Sequence, residues 1–286
     1  MKPPNLHTRI FLDGGNQAET KQVVEKLGFL DGQTTNPTLV SKHPDMAKKV
    51  AEHGLEPKEL LDFYHDVVTS ISPLVSEGSV SIEVYADPTT TTEQMLIQAK
   101  EMNGWVPNAH IKFPTTEAGL RAAEQLVADG VRVNMTLCFS QHQAAAVYAA
   151  TRGGAPGQVF VSPFVGRLDD RGENGMQLIA NILKMYEPGD GHVSVLTASV
   201  RTMDHFMYAL ALKSDIITAP AGILTAWADA GQPVPESFEY NPKLSEITYQ
   251  ELDLQADWRN FNLKHDLTDA GIDRFASDWN NLLTKD

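Results

Sequence analysis

Short runs rich in β-branched and aromatic residues alternate with longer stretches of helical periodicity from residue 9 to about residue 230. That alternation is the signature of repeated βα units on a parallel sheet. Eight runs read as strands: RIFLDG (9–14), LGFLDGQ (27–33), VSIEVYA (80–86), AHIKF (109–113), RVNMTLCF (132–139), QVFVSPF (158–164), HVSVLTA (192–198) and DIITA (215–219). Helices are predicted between them over roughly 17–27, 38–52, 57–75, 91–102, 116–129, 140–152, 173–186, 202–212 and 222–230. In 116–129, Leu120, Ala123, Leu126 and Val127 share one face, and Gly130 follows as a stop. Eight strands, each followed by a helix, favour a closed (β/α)8 TIM barrel over an open doubly wound sheet. The segment DGGNQAE after the first strand lacks the third glycine of a dinucleotide fingerprint. From about Pro233 the character changes to acidic and aromatic residues, then a helix-like TDAGIDRFASDWNNLL, expected to pack on the barrel exterior. The expectation is a single α/β-barrel domain over 1–286, with the barrel at about 9–232 and a C-terminal helical extension at about 233–286.

A strand period of two places alternate residues in the barrel lumen, where apolar layers are the rule. Polar residues at inward parity therefore carry information. Ile111 and Phe113 suit the outer helical layer, which turns Lys112 and His110 inward. The same argument turns Glu83 inward from between Ile82 and Val84, and Asn134, Thr136 and Cys138 from among Val133, Met135 and Leu137. Ser162 and Phe164 face in beside Val161 and Pro163, and the first strand adds Asp13 next to Leu12. Burying a lysine with two carboxylates is costly unless they pair, and such clusters have perturbed pKa values suited to catalysis. A structural ion-pair cluster produces the same pattern. If the cluster is catalytic, a lysine whose ammonium form is disfavoured is a nucleophilic amine that condenses with a ketone. Making or breaking the adjacent carbon–carbon bond then needs a base for a hydroxyl proton, with Asp13 and Glu83 both candidates. Asn36, Asn134 and Ser162 are placed to hydrogen-bond sugar hydroxyls.

Composition narrows the classes without choosing among enzymes. A formal net charge of -14 argues against a sequence-independent nucleic-acid binder and against an anionic membrane surface. The single cysteine, Cys138, excludes an internal disulfide and a Cys-based zinc site, and reads as a small buried hydrophobe. The histidines show no HExxH or paired spacing, so no metal is expected. No stretch has the length of a signal peptide's apolar region or of a membrane span, so a cytoplasmic location is expected. The sequon Asn134-Met135-Thr136 lies in a strand pattern and reads as accidental.

FLDGQTTNP (29–37), VSIEV (80–84), HIKFPTT (110–116), VNMTLCFS (133–140), SPFVGRLDD (162–170), TASVR (197–201) and DIITAP (215–220) occur in the order in which they stand in one family. By these motifs the chain resembles the transaldolases and the related fructose-6-phosphate aldolases. The resemblance implies Lys112 as the Schiff-base lysine and Asp13 as the acid/base of carbon–carbon cleavage. It implies Glu83 and Thr136 as the pair that positions a catalytic water. Asn36, Asn134 and Ser162 would bind the dihydroxyacetone moiety, and Arg167 and Arg201 would clamp a phosphate, a role for which the planar guanidinium fork is suited. Aldolase-type relatives carry Gln and Tyr where this chain has Glu83 and Phe164, so the resemblance favours transfer over release. It implies a cofactor-free enzyme of the pentose phosphate pathway that acts on sugar phosphates. Longer relatives are dimers and shorter ones decamers, so a homo-oligomer is expected. The alternatives are a lyase on the same scaffold and a non-catalytic sugar-phosphate binder.

Residue by residue, simpler readings compete. Asp13-Gly14-Gly15 suits a turn, Asn36-Pro37 a helix start, and the arginines surface ion pairs. His110 reads as a satisfied core residue, and Phe164 as a lumen filler apart from the resemblance.

Overall fold

Eight parallel strands close on themselves in chain order, each hydrogen-bonded to the next and the eighth to the first. A computed structural model describes residues 1–284, the side chains of residues 47–48 and 51–53 excepted. The strands are β1 (Arg9–Asp13), β2 (Gly32–Thr34), β3 (Ser79–Glu83), β4 (Ala109–Pro114), β5 (Val133–Cys138), β6 (Val159–Pro163), β7 (Val193–Thr197) and β8 (Ile216–Ala219). Around them lie α1 (Gln17–Leu27), α2 (Pro37–Ser41), α3 (Pro44–His53), α4 (Pro57–Ile71), α5 (Thr92–Asn103), α6 (Glu117–Ala128) and α7 (Gln141–Ala150). The set continues with α8 (Val165–Asp169), α9 (Gly175–Tyr186), α10 (Met203–Ala211), α11 (Ala221–Asp229) and α12 (Asp266–Asn280). The (β/α)8 barrel is the architecture expected from the alternation of periods.

Local chemistry sets most boundaries. Asn16, Thr91, Thr116, Ser140, Asn174 and Thr202 each accept a backbone N–H of the helix they precede, so helices start a few residues after strands end. The helical pattern over 38–52 is broken at Pro44, which lacks an N–H and opens α3 instead of continuing α2. Pro73 likewise converts the end of the 57–75 pattern into a 3-10 turn, Ser72–Val75.

Three expectations are corrected. The second strand does not span 27–33: Gly28 takes the left-handed conformation that ends α1 (φ 76°), and pairing begins only at Gly32. Phe29 packs edge-on against Trp227 of α11, so the apolar run that mimicked a strand belongs to the helical layer. Cys138 does not face the lumen. Leu137 adopts φ 57°, the β5–β6 register shifts between Met135 and Cys138, and the alternation breaks there. Cys138 ends buried beside Tyr186 of α9, where burial pushes its thiol up to about 12.

The extension is the third. Its first part runs along the outside as expected, with Asn181 donating to the Ile247 carbonyl and Gln141 to that of Thr248. A 3-10 turn, Trp258–Asn260, then packs on α6 and α7. From there α12 turns back over the C-terminal mouth, where Thr268 donates to the Leu137 carbonyl and Thr38 to Asp278. The last two residues of the extension lie outside the described ones.

The opposite end of the lumen is sealed. His110 stacks on Phe160 with centroids 4.0 Å apart, Phe11 meets the same ring edge-on at 6.1 Å, and the Arg9 guanidinium covers it at 5.0 Å. Burial drives the His110 imidazole down to about 3, so it stays neutral, with Nε2 3.0 Å from the Gly157 carbonyl.

Candidate active site

Strand register assembles a polar row above that plug. Glu83 of β3 is level with Lys112 of β4, which is level with Asn134 of β5. Lys112 Nζ lies 2.8 Å from Glu83 Oε2 and donates to the Thr35 carbonyl at 2.9 Å. Both side chains are only 4% exposed, so water screens the pair little. Burial raises the Glu83 pKa against the opposing pull of Lys112. A carboxyl in that state is a ready acceptor for the proton the amine must lose.

Asp13 ends β1 on the far side of the lumen. Its Oδ1 accepts from Thr34 Oγ1 at 2.8 Å, and Thr34 in turn accepts from Thr218 at 2.6 Å. Thr34 has one proton and gives it to the carboxylate, which fixes the direction of the chain. Burial raises the Asp13 pKa too, partly offset by Lys112 and by the Thr34 hydrogen bond. Next to the lysine, Ser162 donates to Asn134 Oδ1 at 2.6 Å and Asn134 donates to Ser81 at 3.0 Å. Among the described residues, the buried Thr136 hydroxyl has no hydrogen-bond partner.

These side chains form the base of a cavity of about 280 Å³ at the C-terminal ends of the strands, the functional face of such barrels. Asp13, Asn36, Lys112, Thr136, Ser162, Phe164, Arg167 and Arg201 all line it. Glu83 and Asn134 lie just behind that surface, in contact with Lys112 and Ser162. Every residue expected to act on substrate is therefore at or directly behind one cavity, whereas His110 and Cys138 are not. Some of the simpler readings hold as well: Asn36 caps α2 through Leu39 N–H at 2.9 Å, and Arg201 pairs with Asp170.

The rim is cationic although the chain is acidic. Arg167 on α8 lies between the rings of Phe164 and Phe275, 5.3 and 5.4 Å from their centroids. Burial and then Arg274 disfavour its charge, which leaves a cation in need of an anion. Arg201 crosses Gly166 so closely that a Cβ there would lie 2.5 Å from its Nε and from the Ser199 carbonyl. His205 ties the two arginine loops together, accepting from Arg201 N–H at 3.4 Å and bonding Asp169 at 2.7 Å.

Sequence reasoning missed Thr34, Thr218, Lys42, Arg274, Phe275 and Tyr64. Thr218 was legible as the polar residue of DIITA, and Thr34 was hidden by the misplaced second strand. Lys42, just past the end of α2, and Arg274 and Phe275 of α12 stand where no strand pattern encodes the docking.

Comparison with known proteins identifies the family. A family model described as Transaldolase/Fructose-6-phosphate aldolase matches residues 10–285. A probable transaldolase of Dehalococcoides mccartyi is 36% identical over 274 residues, covering 96% of this chain and 99% of its own. One from Brucella anthropi is 33% identical, covering 95% and 96%, and one from Thermoplasma volcanium is 32% identical, covering 95% of each. With a lysine–carboxylate pair at the base of a closed eight-stranded barrel and a match from end to end, the chain belongs to the transaldolase/fructose-6-phosphate aldolase family.

Proposed function

We propose that the protein is a transaldolase that carries a dihydroxyacetone unit from a ketose phosphate, such as fructose 6-phosphate or sedoheptulose 7-phosphate, to an aldose-phosphate acceptor. The observation that carries this reading is the buried Lys112–Glu83 pair, 2.8 Å apart, in a cavity whose rim holds arginines. Lys112 gives up its proton to Glu83, directly or through a water held with Thr136, and the free amine attacks the C2 carbonyl. The carbinolamine loses water to become a protonated imine. Asp13 takes the proton of the C4 hydroxyl, the C3–C4 bond breaks, its electron pair flows into the imine, and the aldehyde leaves. Asn134 and Ser162 hold the hydroxyls of the three-carbon enamine. An acceptor aldehyde reverses the sequence at C3, and hydrolysis frees Lys112. Arg167 and Arg201 hold the phosphate end, with Arg274 adding charge from α12.

Borohydride trapping with fructose 6-phosphate, followed by intact mass and peptide mapping, tests this reading. A reduced three-carbon adduct on Lys112 is expected in the wild type and not in Lys112→Ala. No adduct while the sugar phosphate binds would overturn it for that donor. Acceptor dependence separates transfer from the aldolase alternative: turnover of the donor only when an aldehyde is supplied supports transfer, which Glu83 and Phe164 favour by resemblance.

A further inference from the structure

Tyr64 belongs to α4, outside the barrel, yet its hydroxyl reaches the inner polar network between β2 and β3. The Glu83 backbone N–H donates to Tyr64 Oη at 2.8 Å. Tyr64 Oη lies 2.6 Å from Thr35 Oγ1, whose own proton goes to the Ser81 carbonyl at 2.7 Å. The phenol is therefore the donor to Thr35. Lys112 Nζ is held by two groups, the Thr35 carbonyl and the Glu83 carboxylate. One phenol thus fastens both residues that hold the amine. We propose that Tyr64 is a positioning residue for the Schiff-base lysine, keeping Thr35 and Glu83 at the spacing that aims Nζ at the carbonyl carbon.

Two further observations fit this role. Tyr64 has no solvent exposure, and burial raises its pKa so that it remains a donor. Its ring packs edge-on against Trp105 at 5.8 Å and Trp279 of α12 at 5.9 Å, while the hydroxyl is placed by its own bonds to Glu83 and Thr35. Small errors in the approach of a nucleophile cost rate steeply, so a group that never meets substrate can control the rate of imine formation. The inference rests on Lys112 being the nucleophile.

The test compares wild type, Tyr64→Phe, Thr35→Val and Trp105→Phe by the rate of borohydride-trapped adduct with fructose 6-phosphate and by the split of kcat from KM. Tyr64→Phe keeps the ring and is expected to slow trapping and kcat about tenfold, the scale of one lost hydrogen bond, with KM little changed. Thr35→Val cuts the same link from the other side and is expected to slow trapping in the same way. The double variant is expected to be no slower than the worse single one. Trp105→Phe trims the packing on the same ring and is expected to lower the melting temperature while leaving the trapping rate unchanged. Trapping by Tyr64→Phe and Thr35→Val at the wild-type rate, or equal slowing by Trp105→Phe, overturns the positioning role while leaving the nucleophile intact. A wild type that forms no adduct overturns the nucleophile, and this role with it.

Discussion

The base and the rim of the cavity are built on different physical terms. At the base, Asp13, Glu83, Lys112 and Asn134 stand on strands, and each keeps at least one protein hydrogen bond or ion-pair contact that restricts its rotamer. At the rim, Arg167 and Arg201 stand on a five-residue helix and a loop, and Arg274 is contributed by a helix distant in sequence. Arg201 is 44% exposed on its side chain whereas Lys112 is 4%. A buried hydrogen-bonded network holds atoms to the tolerance that bond-making needs, and a partly solvated cationic ring holds an anion that only has to be captured. The difference assigns chemistry to the base and affinity to the rim, and predicts that substitutions in the two places alter different kinetic constants.

The largest effect is expected from Lys112→Ala, which removes the lysine paired with Glu83 at the base: kcat/KM falls by roughly 10³-fold or more while the phosphate of the substrate still binds. Steady-state kinetics beside a binding isotherm check both halves. Asp13→Asn comes next, with kcat lower by about 10²–10⁴-fold, as for loss of a general acid/base, and KM little changed. Borohydride then traps a full-length ketose on Lys112 instead of a three-carbon fragment, because cleavage stalls after imine formation.

The same variant tests the sign of the Asp13 shift. Its pKa is raised in the folded chain, so the fold favours the protonated form, and the charged form costs stability once pH exceeds the ordinary aspartate value. Asp13→Asn is therefore expected to melt higher than wild type at neutral pH, by about 2–4 °C if the cost is near 1 kcal/mol. That difference closes as pH falls below the ordinary carboxylate range. In the wild type the acid limb of kcat/KM lies above the pH at which an ordinary aspartate protonates. A melting difference that is unchanged or grows on acidification contradicts the assignment.

At the rim, Arg201→Ala is expected to raise KM for phosphorylated donors about 10- to 100-fold with kcat preserved, the scale of a lost charged hydrogen bond. Unphosphorylated analogues should not sense the change, and loss of kcat instead would place Arg201 with the base. The smallest effect is expected from Gly166→Ala. Its new Cβ meets both Arg201 and the Ser199 carbonyl, so Arg201 is displaced without loss of charge, KM rises by about 3- to 10-fold and the melting temperature falls. A crystal structure of the variant would show the guanidinium moved.

The sequence alone determined the closed barrel and, from strand parity, the inward positions of Lys112, Glu83, Asp13, Asn134, Thr136 and Ser162. A period of two in a strand dictates which side each residue faces, and a charged residue inside an otherwise apolar lumen has few inert explanations. Parity failed where backbone geometry broke it, at the left-handed Leu137 that turned Cys138 outward. The run 27–33 misled for another reason, since an apolar segment looks the same whether it buries against a sheet or beneath a helix such as α11. Only the tertiary structure decided the direction of the proton chain through Thr218, Thr34 and Asp13, the reach of Tyr64 to Thr35 and Glu83, and the return of α12 to the mouth with Arg274 and Phe275. Each joins groups tens to hundreds of residues apart, and periodicity carries information only about neighbours within an element. Which distant elements meet is settled by the packing of the whole chain.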